Sequence, residues 1–279
     1  MRWLLAGFAA ILLAAGGLMW WWQTQSEPEP EPQSPAPAAE APPAAPTPAE
    51  PQAEHPIEPR VEHPIEQADR QSPAVRQVPE PLPSLDQSDR LVRQTLTGLV
   101  DRRAVPQFLR LDDVVRHLVV TIDNLPNAKA PVRLWPVNPA PGHFVADGEG
   151  ETAMLSANNA RRYLPFVQFL ESVDTGKAVA LYVELYPLFQ RAYAELGYPD
   201  RYFNDRLIEV IDHLLDTPDV TGPVELFRPG VMYEYADPDL EVRSAGQKIL
   251  IRMGSENAAR LKAKLRELRR QLTGAAVKK

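Results

Sequence analysis

Five of the eight tyrosines fall within 21 residues, at Tyr182, Tyr186, Tyr193, Tyr198 and Tyr202, and Asn204, Asp205 and Arg206 follow at once. Phenol rings offer faces for stacking and hydroxyls for orientation. An amide, a carboxylate and a guanidinium beside them complete the side chains with which glycan or peptide binders hold polar ligands. The same spacing equally fits the core of a helix pair whose hydroxyls are satisfied at its rim. Asp205, Glu209 and Asp212 then form an acidic stripe at i, i+4 and i+7, with His213 adjoining. These are the residue types of a hard-metal or di-iron site. Bundle di-iron sites, however, draw Glu-x-x-His pairs from several helices, whereas Glu209 and Asp212 supply one Glu-x-x-Asp. A solvated acidic face, or Glu209 paired with His213, is the simpler reading. His117, His143 and His213 are the only imidazoles beyond residue 84, sufficient in number for a Ser-His-Asp triad. No G-x-S-x-G, H-E-x-x-H, P-loop or G-x-G-x-x-G accompanies them, so no catalytic residue, metal ligand or cofactor is assigned.

The elements that must position these side chains are mainly helical. Asp174 or Thr175 caps a helix over about 176–195 whose apolar residues point all round the axis, predicting a buried central helix bent at Pro187. The next, about 200–216, is two-faced, with Phe203, Leu207, Val210, Ile211 and Leu214 inward. Upstream, a helix opens near Ser88, read as its N-cap, and a second runs from Asp112 and Asp113 to Pro126. Five prolines between 126 and 143, around Trp135, predict an irregular arm. Short hairpins are expected at 144–155, around DGEG, and at 224–235, around Arg228-Pro229-Gly230. Ser156 caps a helix that Pro165 is expected to interrupt, and further helices follow at about 243–253 and 256–272. The fold class is thus mainly α, a single helical domain over 85–279 with one or two short β-hairpins and a basic tail from about 273.

Two other polymers precede it. Residues 3–22 carry no charge, and at 1.5 Å rise per residue they match a hydrocarbon core of about 30 Å. Trp20, Trp21 and Trp22 close the run as an interfacial belt and leave no small-residue cleavage site, so 1–22 reads as an uncleaved transmembrane signal-anchor helix. Arg2 before it and no basic residue after it until Arg60 place the N-terminus in the cytoplasm and the remainder in the periplasm of a Gram-negative inner membrane. Residues 23–84 hold 17 prolines and 11 acids against three arginines, a disordered, acidic, proline-rich linker. Within it Glu54-His55-Pro56-Ile57-Glu58 recurs eight residues later, as a doubled recognition motif, a weak histidine metal pair or simple slippage. With no cysteine, disulfide frameworks and thiolate sites are excluded. Because 85–279 carries 26 charges of each sign, no nucleic-acid partner is expected.

The last helix repeats Leu261, Leu265, Leu268 and Leu272 among basic residues. Those leucines read as a stripe closing the core, with the charges facing water, anionic headgroups, an acidic protein or the acidic linker.

The runs Tyr186-Pro187-Leu188-Phe189-Gln190, Glu195-Leu196-Gly197-Tyr198-Pro199, Phe203-Asn204-Asp205-Arg206-Leu207 and Ile211-Asp212-His213-Leu214-Leu215 resemble a bacterial envelope family known as domain of unknown function 3014. The likeness continues through Tyr235-Ala236-Asp237-Pro238 and Ser244-Ala245-Gly246-Gln247-Lys248 to Arg252-Met253-Gly254, over essentially all of 85–272. It implies a single-anchor membrane protein with a proline-rich spacer, and no activity or site residues. The function expected is a periplasmic binding or scaffold domain, tethered to reach peptidoglycan or an envelope protein complex. One alternative is an envelope-polymer hydrolase using Asp205, Asp212 and His213. Another is an energy-transducing coupler, suggested by the Glu-Pro run and opposed by the helical domain.

Overall fold

A computed structural model describes residues 81–148 and 152–275. The expected anchor helix at 3–22, most of the linker, part of the DGEG turn and the end of the basic tail lie outside the described residues. No helix among the described residues is long and apolar enough to cross a membrane.

After a 3-10 turn at Leu85–Gln87 the chain forms α1 (Ser88–Leu96), α2 (Ala104–Phe108) and α3 (Val114–Asn124). The proline arm leads to β1 (Ala146–Asp147) and β2 (Thr152–Leu155), followed by α4 (Asn158–Ser172), α5 (Thr175–Glu195) and α6 (Phe203–Leu215). Then come β3 (Glu225–Phe227), β4 (Glu234–Tyr235), α7 (Pro238–Glu241), α8 (Ala245–Arg252) and α9 (Ser255–Ala275). The protein therefore has a mainly helical C-terminal domain with a small antiparallel sheet.

Helix α5 is central, as its all-round apolar pattern predicts. Asp174 caps it, accepting from the Lys177 amide at 2.8 Å. One side packs Leu181, Leu185 and Leu188 against Val115 and Val119 of α3. The other packs Val179 and Val183 against Ile208 and Ile211 of α6 and Leu272 of α9. The leucine stripe of α9 does close the core, but its charges do more than face water. Arg260 pairs with Glu171, Arg269 with Asp212, and Lys262, only 4 % exposed, reaches the Thr217 carbonyl and Asp219. Charge-assisted contacts thus dock the helix that the leucines bury.

Five expectations change in detail. Ser156 does not cap α4, whose N-cap residue is Ala157 with no side-chain cap, and the Ser156 hydroxyl accepts from the Asn158 amide at 3.3 Å. Pro165 does not interrupt α4, because it stands exposed in mid-helix and deprives only the carbonyl of the equally exposed Arg161 of a partner. Ser88 is not an N-cap, since its hydroxyl donates back to the Leu85 carbonyl at 2.7 Å. The N-terminus of α3 is capped from another helix, with the Asp89 carboxylate accepting from the Asp113 and Val114 amides at 2.7 and 3.1 Å while Asp113 takes a left-handed φ of 49°. Finally, the two hairpins join through a β2–β3 pairing into one four-stranded antiparallel sheet in the order β1-β2-β3-β4. Ala153, Leu226 and Tyr235 lie opposite one another across it and are buried against Leu240 and Ile251, which gives both short hairpins a shared core.

Helix α8 approaches its neighbours at Gly246, where a Cβ would come 2.6 Å from Leu214 Cδ2 and 3.1 Å from the Leu125 carbonyl oxygen. Gly246→Ala is expected to push α8 outward and lower stability by about 1–3 kcal/mol. A shifted urea midpoint with an unchanged slope would show this, and an unshifted midpoint would mean that Leu214 simply rotates away.

Candidate functional site

The tyrosines gather along the seam between α5 and α6. Tyr182 meets Tyr186 edge-on at 5.8 Å, Phe189 stacks on Phe203 at 5.8 Å, and Tyr193 stacks on Tyr198 at 4.7 Å. Gln190 locks the seam: its Oε1 accepts from the Tyr186 hydroxyl at 2.8 Å and the Phe203 amide at 2.9 Å, while Nε2 donates to the Arg201 carbonyl. Tyr182 donates to Asn204 Oδ1 at 3.3 Å, and Asn204 and Phe203 are fully buried. Burial pushes the Tyr186 phenol up to about 12, against a smaller opposing pull from the Asn204 amide. Burial also raises Tyr182, with Tyr186 and Asp205 adding to it, and raises Tyr193. Tyr202, half-buried, precedes α6 as its N-cap residue, and Asp205 adds negative potential at Tyr182 and Tyr186.

Arg206 ties this seam to α3. Its Nε donates to Asp123 Oδ1 at 2.8 Å, a second nitrogen donates to the Asp123 carbonyl at 2.8 Å, and a third pairs with Glu209 at 2.9 Å. Burial works against its charge, yet Glu209 and Asp123 outweigh that and leave the guanidinium more basic than usual. The acidic stripe does not converge. Glu209 goes to Arg206, Asp212 to Arg269, and His213 Nε2 hydrogen-bonds Ser244 Oγ at 2.8 Å instead of meeting Glu209. Ser244 in turn caps α8, accepting from the Gln247 amide at 3.2 Å. Among the described residues no group of three or more His, Asp and Glu side chains is placed to hold a metal ion.

An open space lies on another side of the domain. The proline arm, α4, α8 and α9 enclose a cavity of about 460 Å³, within the size range of small-molecule sites. Its walls are Trp135 and Val137 of the arm, Phe166 of α4, Leu250 of α8 and Leu261 and Leu265 of α9. Phe108 extends the aromatic wall, stacking on Phe169 at 4.7 Å. Apart from a 3-10 turn at Val132–Leu134, the arm makes this wall without regular structure because its prolines remove amide donors that apolar surroundings could not satisfy. Its carbonyls are met by side chains and by strand-like pairing. Arg162 donates to Pro141 at 2.8 Å and Gly142 at 3.1 Å, Thr121 to Leu134 at 3.3 Å, and the Arg110 amide to Pro136 at 2.9 Å. One buried polar atom of the lining side chains lacks a partner among the described residues, the indole Nε1 of Trp135.

Sequence reasoning anticipated the arm but not its role as a cavity wall. One signal was available: Trp135, the single tryptophan beyond residue 22, sits in a proline-dense stretch, and so large a ring packs against something.

Fold and geometry together define a mainly helical domain carrying a small sheet and an apolar, arm-walled cavity. A family model described as protein of unknown function (DUF3014) matches residues 114–269, more than half of the chain, and the chain belongs to that family. Helices α1 and α2 precede the matched stretch. Comparison with curated proteins and with solved structures gives no match.

Proposed function

We propose that this protein is a binding module of the cell envelope, anchored in the inner membrane by residues 3–22 and carried into the periplasm on the linker, whose binding site is the arm-walled cavity. The observation that carries this reading is the cavity itself, about 460 Å³ of space with walls almost wholly aliphatic and aromatic. Such walls suit an apolar ligand or the apolar part of an envelope protein. They serve a glycan poorly, because each sugar hydroxyl would lose water without gaining a partner. On this reading the tyrosine seam and the Asp123–Arg206 pair form the rigid frame beside the site.

The test is to purify the full chain and its Ala140→Phe variant from the same membranes, extract both and identify the released small molecules by mass spectrometry. Ala140 lines the cavity, and the added ring occupies it. One apolar class should be enriched with the parent chain and fall at least about tenfold with the variant, a change of about 1.4 kcal/mol in binding. Equal recovery from both would overturn the assignment of the site.

A further inference from the structure

The polar side chains of the cavity lining come from α2, α3, the arm and α4, and α6, α8 and α9 contribute none. Its interior is formed by Leu214, Leu250, Met253 and Leu261, of which Leu250 and Met253 are only 2 % and 4 % exposed. Its mouth is marked by exposed lining residues, Gln107, Pro139, Pro141 and Pro165, and Arg162 stands there bonded to the arm. Of the other polar side chains in the lining, Trp135 keeps its indole Nε1 without a partner among the described residues, while Thr121 of α3 and Asn138 of the arm are committed. Thr121 donates to Leu134, and the Asn138 amide donates to the Pro106 and Gln107 carbonyls at 3.0 and 2.9 Å. Arg162 differs. Its guanidinium meets only neutral acceptors, the carbonyls of Ala140, Pro141 and Gly142 and Oδ1 of Asn159, and no carboxylate pairs with it among the described residues. Five N–H donors face four acceptors, one of them at 3.5 Å, so a donor and a full positive charge remain at the edge of an apolar cavity.

A ligand that satisfies both features has a charged end and an apolar end. We propose that the cavity binds a single-chain anionic amphiphile, its alkyl tail among the aliphatic walls and its carboxylate on the guanidinium of Arg162. This rests on the cavity being the binding site and adds the chemical class of what it holds. Arg162 supplies the matching charge in a planar fork already held by the arm, so little side-chain freedom remains to be lost on binding. Because the same residue fastens the arm at Pro141 and Gly142, the head group would sit where the arm closes over the tail.

The test uses the full chain in its own membranes and two photoreactive probes with identical long alkyl tails, one ending in a carboxylic acid and the other in a primary alcohol. Labelled peptides from the arm and α8 are quantified by mass spectrometry. The acid is expected to label them about 10- to 100-fold more than the alcohol, the ratio a charge-assisted hydrogen bond contributes. Arg162→Gln should bring the acid-to-alcohol ratio down to about one, whatever the loosened arm does to both probes, while Arg162→Lys should keep a preference for the acid. If both probes label the parent chain equally, or the acid-to-alcohol ratio of the parent chain persists in Arg162→Gln, Arg162 is only a fastener for the arm and the anionic class is wrong, though the cavity remains a binding site. Absence of cavity labelling by either probe overturns both readings.

Discussion

Arg206→Ala is expected to lower stability by about 3 kcal/mol, a fall in Tm of roughly 6–12 °C for a domain of this size. The Arg206 and Asp123 side chains are 19 % and 11 % exposed, so removing one partner strands a charge that water reaches poorly. The two truncations should differ. Without Arg206, the Asp123 carboxylate keeps, among the described residues, only the Tyr198 hydroxyl at 3.5 Å, a long contact, and its main-chain carbonyl near the end of α3 loses a donor as well. Without Asp123, Arg206 still pairs with Glu209, which is largely exposed. Asp123→Ala should therefore cost less than Arg206→Ala, and the difference is readable in parallel urea titrations. A residue that served only to hold ligand would leave the midpoint where it was. An unchanged midpoint in Arg206→Ala would return the tyrosine seam to the list of ligand-binding surfaces.

Alkaline pH should unfold the domain below about pH 12. Burial raises the phenols of Tyr182 and Tyr193, takes Tyr186 to about 12 and, against an opposing pull from Arg252, takes Tyr235 to about 12. An unfolded tyrosine titrates near 10. The folded state then binds more protons than the unfolded one in the interval between. The contribution of these groups is complete below pH 10 and is lost as pH rises through the folded values. A displacement of about two units corresponds to a loss on the order of 2–3 kcal/mol for each of Tyr186 and Tyr235 by the top of the window, a large part of an ordinary domain stability of about 5–15 kcal/mol. Thermal melts followed with phenolate absorbance, compared between the parent chain and Tyr186→Phe, should show Tm dropping steeply above pH 10, with the part of the absorbance that Tyr186 contributes appearing only as the fold is lost. Tyr186→Phe should flatten that slope. A Tyr186 share of the phenolate already forming near pH 10 at constant Tm would mean an open cleft in place of a packed seam.

Local chemistry made much of the fold legible. Asp174 before a long apolar run announced α5, and the apolar residues on every side of that run announced its central position. The leucine repeat of α9 announced a docked stripe. What was misread involved partners distant in sequence. Ser88 looks like a cap by type, but the cap of α3 is Asp89, 24 residues before the amide it receives. The two hairpins look separate because their turns are local, while the pairing of Ala153 with Leu226 is not. Residue type also marked Asp205, Glu209, Asp212 and His213 as a group. Helical spacing then set them on a common face, but the partners that claimed Glu209, Asp212 and His213 came from α6 itself, α9 and the cap of α8.

By itself the sequence determined the division into an apolar run, an acidic proline-rich stretch and a helical domain, the helices with local caps, and the family. These follow from composition, periodicity and short-range hydrogen bonding, which are properties of neighbours along the chain. Only the tertiary structure decided that Asp123 meets Arg206, that two hairpins make one sheet, and that a proline arm stands off from α4, α8 and α9 to enclose a cavity with Arg162 at its mouth. A cavity has no sequence signal of its own, because it is the space left when separate elements pack as closely as their shapes allow.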